Sequence, residues 1–377
     1  MGGSIKLLTV RGIDIRVHVT FPLILVWAVI QFGLLTGQGV NGAIFGIIVT
    51  LLLFAIVVLH ELGHSLAAQY YGVPVRQIVL LPLGGVAQLE RIPENPGQEL
   101  VIAIAGPLVN GVIALLMVAA NQLFQLSSGY ENLSRMMNGL AAGSLAAIFG
   151  YVFFANLYIA LFNLVPAFPL DGGRILRALL ASRLEYRRAT AIAVTIGQTL
   201  AWLIGLWGFL SGEFFLVLIA IFIYVGAGQE GQQVQLRRAL GDVTVDQAYS
   251  RQVQTLSPQS LLHDAVELTL TSFQADFPVC EGGRLVGLLP YSRLIEALDR
   301  GGPDTLVQAV MLTDIRPVSP REKMFDVQQR MAQEKLDALP VIEDGHFLGL
   351  ITGRDIGEIY RLVTLNPELI PRTRPRA

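Results

Sequence analysis

In the stretch VVLHELGHSLAAQYYG (residues 57–72), His60, Glu61 and His64 form the pattern H-E-x-x-H. On an α-helix, residues four apart lie one turn apart on the same face. Two imidazoles so placed reach one zinc ion at about 2.0–2.1 Å. Glu61 is not needed as a ligand; it can take a proton from an attacking water and pass it to a leaving nitrogen. Hydrolysis requires water, yet the preceding GAIFGIIVTLLLFAIVVL (42–59) carries no charge and reads as a membrane span.

The composition agrees with that span. Of the 377 residues, 53% are hydrophobic and 15% charged, with a mean hydropathy of +0.56. Soluble domains carry about a quarter charged residues, so the chain is an integral membrane protein at least in part. A net charge of −2 gives no electrostatic footprint for nucleic acid, which is not expected as a partner. The single cysteine, Cys280, excludes an internal disulfide framework and reads as an ordinary strand residue. Residues 1–19 do not form a cleavable signal, so the first apolar segment is expected to be retained.

Charge-free runs place about six transmembrane helices. The run between Arg16 and Glu61 contains no Asp, Glu, Lys or Arg and is long enough for two helices at 20–37 and 42–64 around the turn TGQGVN (36–41). Further spans are expected at 100–123, 145–166, 189–211 and, shorter, 214–228. Lys6, Arg11, Arg16, Arg76, Arg91, the five arginines between 174 and 188, Arg237 and Arg238 flank one side, and only Arg135 the other. The excess of basic residues predicts both termini in the cytoplasm. Spans two and four then run the same way, which brings His60, His64 and Asp171 to one depth.

A catalytic zinc takes three protein ligands and keeps an open position. Asp171, in NLVPAFPLDGG (163–173), is the best third candidate. Pro166 and Pro169 break the helix, and Gly172 and Gly173 let the chain turn at depth. From the residues alone, the alternative reading of Asp171 is an N-cap for GGRILRALL. Two other stretches are candidates to bind substrate. VRQIVLLPLGGVAQLE (75–90) reads as a hairpin turning at Gly84-Gly85, whose free edge can pair with an extended peptide, or as a plain interfacial loop. Asn163 can hydrogen-bond substrate or oxyanion, or satisfy backbone freed by Pro166. Asn110 is a weaker case; Gly106 and Pro107 suit close helix packing.

After residue 240 the chain turns charged and repeats itself. Ser257-Pro258 matches Ser319-Pro320, Asp264 matches Asp326, Pro278-Val279 matches Pro340-Val341 and Gly287 matches Gly349, each offset by 62 residues. Each copy reads helix, strand, glycine turn, strand, helix. The expected division is therefore 1–230 membrane domain, 241–302 first repeat, 303–366 second repeat, and 367–377 a disordered basic tail. His18 is read as structural, His263 and His346 as surface residues, and the sequon at Asn132 as accidental.

HELGHS, PLGGVAQLE, AGPLVN and NLVPAFPLDGG, in this order, resemble the site-2 protease family of intramembrane zinc metalloproteases over residues 10–228. The later repeat resembles a tandem pair of CBS motifs. The resemblance implies a polytopic α-helical membrane protein followed by a soluble α/β CBS module, with one zinc held by His60, His64 and Asp171 and Glu61 as the catalytic base. It implies a membrane-embedded protein substrate reached from the lipid bilayer. The default expectation is a bacterial inner membrane, with a plastid or archaeal membrane as the alternatives. The resemblance also implies an adenine nucleotide such as ATP at the CBS pair, on Thr352 and Asp355. In the first copy Pro290 and Arg293 stand at those places, so at most one ordinary site is expected. A CBS pair serving only homodimerisation is the other reading. Rival functions are a CBS-regulated transporter or channel, which would line several spans with polar residues, and a catalytically silent binding protein, which would lack Glu61 or a ligand.

Overall fold

Five helices are long and apolar enough to cross a membrane in the computed structural model, which describes residues 3–82, 84–89, 95–124, 145–272 and 274–366. They are α2 (Gly39–Tyr70), α3 (Pro96–Phe124), α4 (Leu145–Asn163), α6 (Tyr186–Ser211) and α7 (Phe214–Leu240). All five lie where charge-free runs predict spans. The first expected span is shorter: α1 (Pro22–Val29) passes into a π-helical turn, Ile30–Leu34, and the apolar helix ends there. At 1.5 Å per residue that is about 20 Å against a hydrocarbon core of about 30 Å. Arg91, Arg135, the sequon at Asn132 and the tail lie outside the described residues.

The chain divides into two units, Gly2–Gln232 and Gln233–Ala377. In the first, a four-stranded sheet has the order β1 (Ser4–Val10), β2 (Ile13–His18), β3 (Val75–Leu81), β4 (Gly84–Leu89). β1 and β2 form an antiparallel hairpin, β2 and β3 run parallel, and β3 and β4 form the expected second hairpin, with Leu81 opposite Gly84. β4 is therefore an edge strand. Ile13, Ile78 and Leu80 of the sheet pack with Phe21, Ala68 of α2 and Ile102 of α3 in one buried cluster. That cluster seats the sheet on the two helices that carry most of the candidate site.

Between α4 and α6, the loop after Asn163 leads into the short helix α5 (Asp171–Ala181). A Cβ on Gly172 would overlap the carbonyls of Leu164 and Val165, and one on Gly173 would come 2.6 Å from Phe168 N. Only glycines let this loop fold back on the start of α5.

In the second unit, the repeat becomes two equivalent α/β copies. β5 (Phe277–Glu281) and β6 (Arg284–Leu289) pair in the first; β7 (Ala338–Glu343) and β8 (His346–Thr352) pair in the second. Leu256 pairs in parallel with Val279, and Val318 with Val341, the same contact 62 residues on. The helices are α8 (Leu262–Thr271) and α9 (Tyr291–Gly301), then α10 (Met324–Glu334) and α11 (Gly353–Leu365). The segment before each copy crosses to the other. Ser250 pairs with Leu350 and Thr244 with Lys323, whereas Leu312 pairs with Leu288 and Leu306 with Leu261. Val243 and Val245 accordingly lie in the core of the second copy, and Val307 in that of the first.

Candidate active site

His60 and His64 lie on one face of α2, both at least 95% buried. Their Nε2 atoms are 3.1 Å apart. Asp171 begins α5, and its Oδ2 lies 3.2 Å from His60 Nε2 and 3.1 Å from His64 Nε2. The N-cap position of α5 is Leu170, which makes no side-chain cap. The Asp171 carboxylate faces the two imidazoles instead.

The other ring nitrogens are held by α3. His64 Nδ1 donates to the Ile102 carbonyl at 2.6 Å, and His60 Nδ1 donates to Asn110 Oδ1 at 3.1 Å. With the proton on Nδ1, each Nε2 presents its lone pair to the other and to Asp171. Three acceptor atoms so close, and shut off from water, repel unless a cation lies among them. Two imidazoles and one carboxylate are also a donor set that zinc takes in open catalytic sites, with the far ring nitrogens anchored as here. The residues fit a zinc ion. Among the described residues, these three form the one group of His, Cys, Asp or Glu that could hold a metal.

The close approach of α2 and α3 is built from glycines. A Cβ on Gly63 would lie 2.8 Å from Ala105 O, and one on Gly106 would collide with His64 Nε2. The small residues of AGPLVN thus make room for a ligand side chain as well as for a helix. Asn110 is itself held, since Asn156 Nδ2 on α4 donates to its backbone carbonyl at 2.9 Å.

Glu61 sits beside the cluster and under the sheet edge. A Cβ on Gly85 would come 2.8 Å from Glu61 Cγ, so the β4 backbone passes directly over this side chain. Asn163 closes α4, partly exposed, ahead of the loop to Asp171.

Thr352 and Asp355 lie in the second unit, at the start of α11. They form a capping box: Thr352 Oγ1 accepts from Asp355 N at 3.2 Å, and Asp355 Oδ2 accepts from Thr352 N at 2.8 Å. Ser250 Oγ donates to Asp355 Oδ1 at 3.0 Å. In the first copy Pro290 holds the cap position, and Asp276 Oδ1 accepts from Tyr291 N instead.

Sequence reasoning rated Asn110 low and missed Ile102 and Asn156. An amide or a carbonyl on a span announces nothing until a partner helix turns a histidine toward it. It also missed the buried charge cluster of Glu99, Arg177 and Glu230.

A buried His-His-Asp site among apolar helices, with a carboxylate beside it and a strand edge above, defines a metallopeptidase of the membrane-embedded class. The model of peptidase family M50 matches residues 48–204, and that of the CBS domain matches residues 307–360. The chain is 33% identical over 370 residues to a zinc metalloprotease of Methanocaldococcus jannaschii, covering 98% of this chain and 99% of that one. It is 29% identical over 194 residues to stage IV sporulation protein FB of Bacillus subtilis, 51% of this chain and 57% of the other. A solved site-2 protease from M. jannaschii is 40% identical, covers 60% of this chain and 95% of its own, and superposes with a TM-score of 0.44. The chain belongs to peptidase family M50, the site-2 protease family, and is a zinc metallopeptidase with a C-terminal CBS module.

Proposed function

We propose that the protein is an intramembrane endopeptidase that cuts transmembrane or membrane-associated proteins and is modulated by adenine nucleotide at its CBS pair. The observation that carries the first part is the meeting of His60, His64 and Asp171 within hydrogen-bond distance of one another, buried among helices long enough to span a bilayer. In this reading those three residues hold one zinc, which supplies Lewis acidity when bound. Glu61 takes the proton of the attacking water and delivers it to the leaving amide nitrogen as the peptide bond breaks. In this reading Asn163, at the C-terminal end of α4, hydrogen-bonds the substrate or the oxyanion.

A helical substrate hides its peptide bonds in its own hydrogen bonds. It must be drawn out locally before water can attack. The edge of β4, at Gly84 and Gly85 above Glu61, offers backbone groups to hold such an extended segment. The basic residues flanking the spans favour both termini and the CBS module on the cytoplasmic side of a cell membrane. Domain limits of 1–230, 241–302 and 303–366, with a basic tail after 366, suit this arrangement. The nucleotide reading rests on Thr352 and Asp355 at the second copy, where a helix N-terminus favours phosphate. A homodimer through the CBS pair is compatible with it.

The test is metal content and cleavage of a single-span protein in proteoliposomes. Wild type is expected to hold about one zinc per chain and to cleave, Asp171→Ala to lose the metal, and Glu61→Gln to keep the metal and lose cleavage. A wild type that holds no zinc after mild purification would overturn the reading. Calorimetric ATP binding by wild type, weakened in Thr352→Val, tests the nucleotide part.

A further inference from the structure

The chain also buries a charge cluster that neither the ligand set nor the base requires. Arg177, on α5, is fully buried. Its Nε donates to Glu99 Oε1 on α3 at 2.7 Å, and Nη2 stands against the same oxygen as an ion pair. Its Nη1 pairs with Glu230 Oε1 on α7. The guanidinium lies 4.8 Å from the ring centre of Phe168 and 5.1 Å from that of Tyr186. Glu99 is 2% exposed. Ionised groups out of water are costly unless paired, and a pair broken on one side leaves an uncompensated charge. The three helices are thus held in one mutual setting.

The elements that this cluster joins are those that build the metal centre. Arg177 lies six residues after Asp171 on the eleven-residue helix α5. Glu99 lies three residues before Ile102, whose carbonyl receives the His64 Nδ1–H. Locking Arg177 to Glu99 therefore locks the carboxylate ligand against the acceptor that aims His64. The Glu230 arm ties in α7, which contributes nothing to the ligand set.

We infer that Arg177 and Glu99 are positioning residues for the metal centre: their buried ion pair sets Asp171 on α5 in register with His64 as held by α3. This rests on the reading of His60, His64 and Asp171 as the metal site. The two arms of the cluster give the inference a built-in control. Glu99→Gln and Glu230→Gln each remove one carboxylate from the same guanidinium, but only the first loosens α5 from α3.

The experiment compares the two variants and wild type, full-length in detergent, by zinc affinity in chelator competition and by the visible spectrum of the cobalt-substituted protein. Glu99→Gln is expected to bind zinc 10–100-fold more weakly and to change the cobalt bands, as loss of a supporting partner does at metal sites. Glu230→Gln is expected to stay within about threefold of wild type with the same bands, well short of that range. Equal affinity and identical spectra in all three would overturn the inference, as would equal losses in both variants, which point to general loosening. Should Glu99→Gln not fold, Arg177→Lys serves in its place. It keeps the charge but loses the planar fork, so shifted cobalt bands support the inference and unchanged bands overturn it. A wild type that binds neither metal would overturn the site reading, and the inference with it.

Discussion

At the residue scale, the second side of each imidazole decides whether the first side is useful. His60 is aimed by Asn110 and His64 by Ile102. Asn110→Ala leaves the His60 Nδ1–H buried without an acceptor. Zinc affinity should then fall about 10–100-fold, measured by chelator competition, while the helices persist by circular dichroism. Gly106→Ala acts from the other direction, because the added methyl would collide with His64 Nε2, the atom that faces the metal position. It should empty the site of zinc at about 1–3 kcal/mol of overpacking cost, so that metal analysis reports a larger effect than thermal unfolding does. The two histidines proposed as ligands were legible in the sequence, since H-E-x-x-H on a helix puts His60 and His64 on one face. Asp171 was half legible: its residue type suited zinc and a helix cap alike, and only the fold of the loop between Asn163 and Gly173 decides between them. The Ile102 carbonyl carries no side-chain signature and could not be read.

At the element scale, hydropathy located the long helices well because a bilayer demands an uninterrupted apolar length. It overestimated the first, where apolar character continues through a π-turn after the α-helix has ended. The strand–turn–strand at Gly84 was legible from β-rich runs on either side of a glycine pair. Its place over Glu61 was not, because that depends on how the sheet sits on α2. In the CBS module, the two copies stabilise the same helix start by different means, Thr352 in one and Asp276 in the other. Burial pushes the Asp276 carboxyl up, the Tyr291 N–H opposes this, and Asp337 nearby adds to the rise. A carboxylate whose pKa is raised on folding favours the folded state most below its unfolded value, about 3.9. That contribution is lost as pH climbs through the folded value. Asp276→Asn keeps an acceptor for Tyr291 N–H and removes the charge. The variant should therefore resist urea better than wild type at pH 7, with the difference shrinking toward pH 4. Parallel urea curves with a constant offset across that range would rule out Asp276 as the titrating group.

At the scale of the whole molecule, the 62-residue repeat showed that two copies are equivalent but not which segments fold together. Equivalence is a property of sequence, whereas pairing is a property of the path between the copies. The path crosses over. Val243 and Val245 open the first repeat yet fill the core of the second copy, and Val307 opens the second repeat yet fills the core of the first copy. Neither copy is therefore a folding unit bounded by its own repeat. A chain ending at residue 302 keeps every strand and helix of the first copy, from Leu262 to Gly301, but lacks Val307 and the pairing of Leu312 with Leu288. Losing one buried valine costs about 1.5–3 kcal/mol of burial, and a strand contact is lost besides. A small α/β copy has little stability to spare. Cys280, the single cysteine, lies on β5 and is half-buried in the intact protein. Its labelling by a thiol reagent thus reports the first copy without any added probe. The 1–302 chain should label at the rate of an unfolded peptide, and a chain extended to residue 314 should recover part of the protection. Full protection in the shorter chain would mean that the first copy closes its core without the exchanged segment.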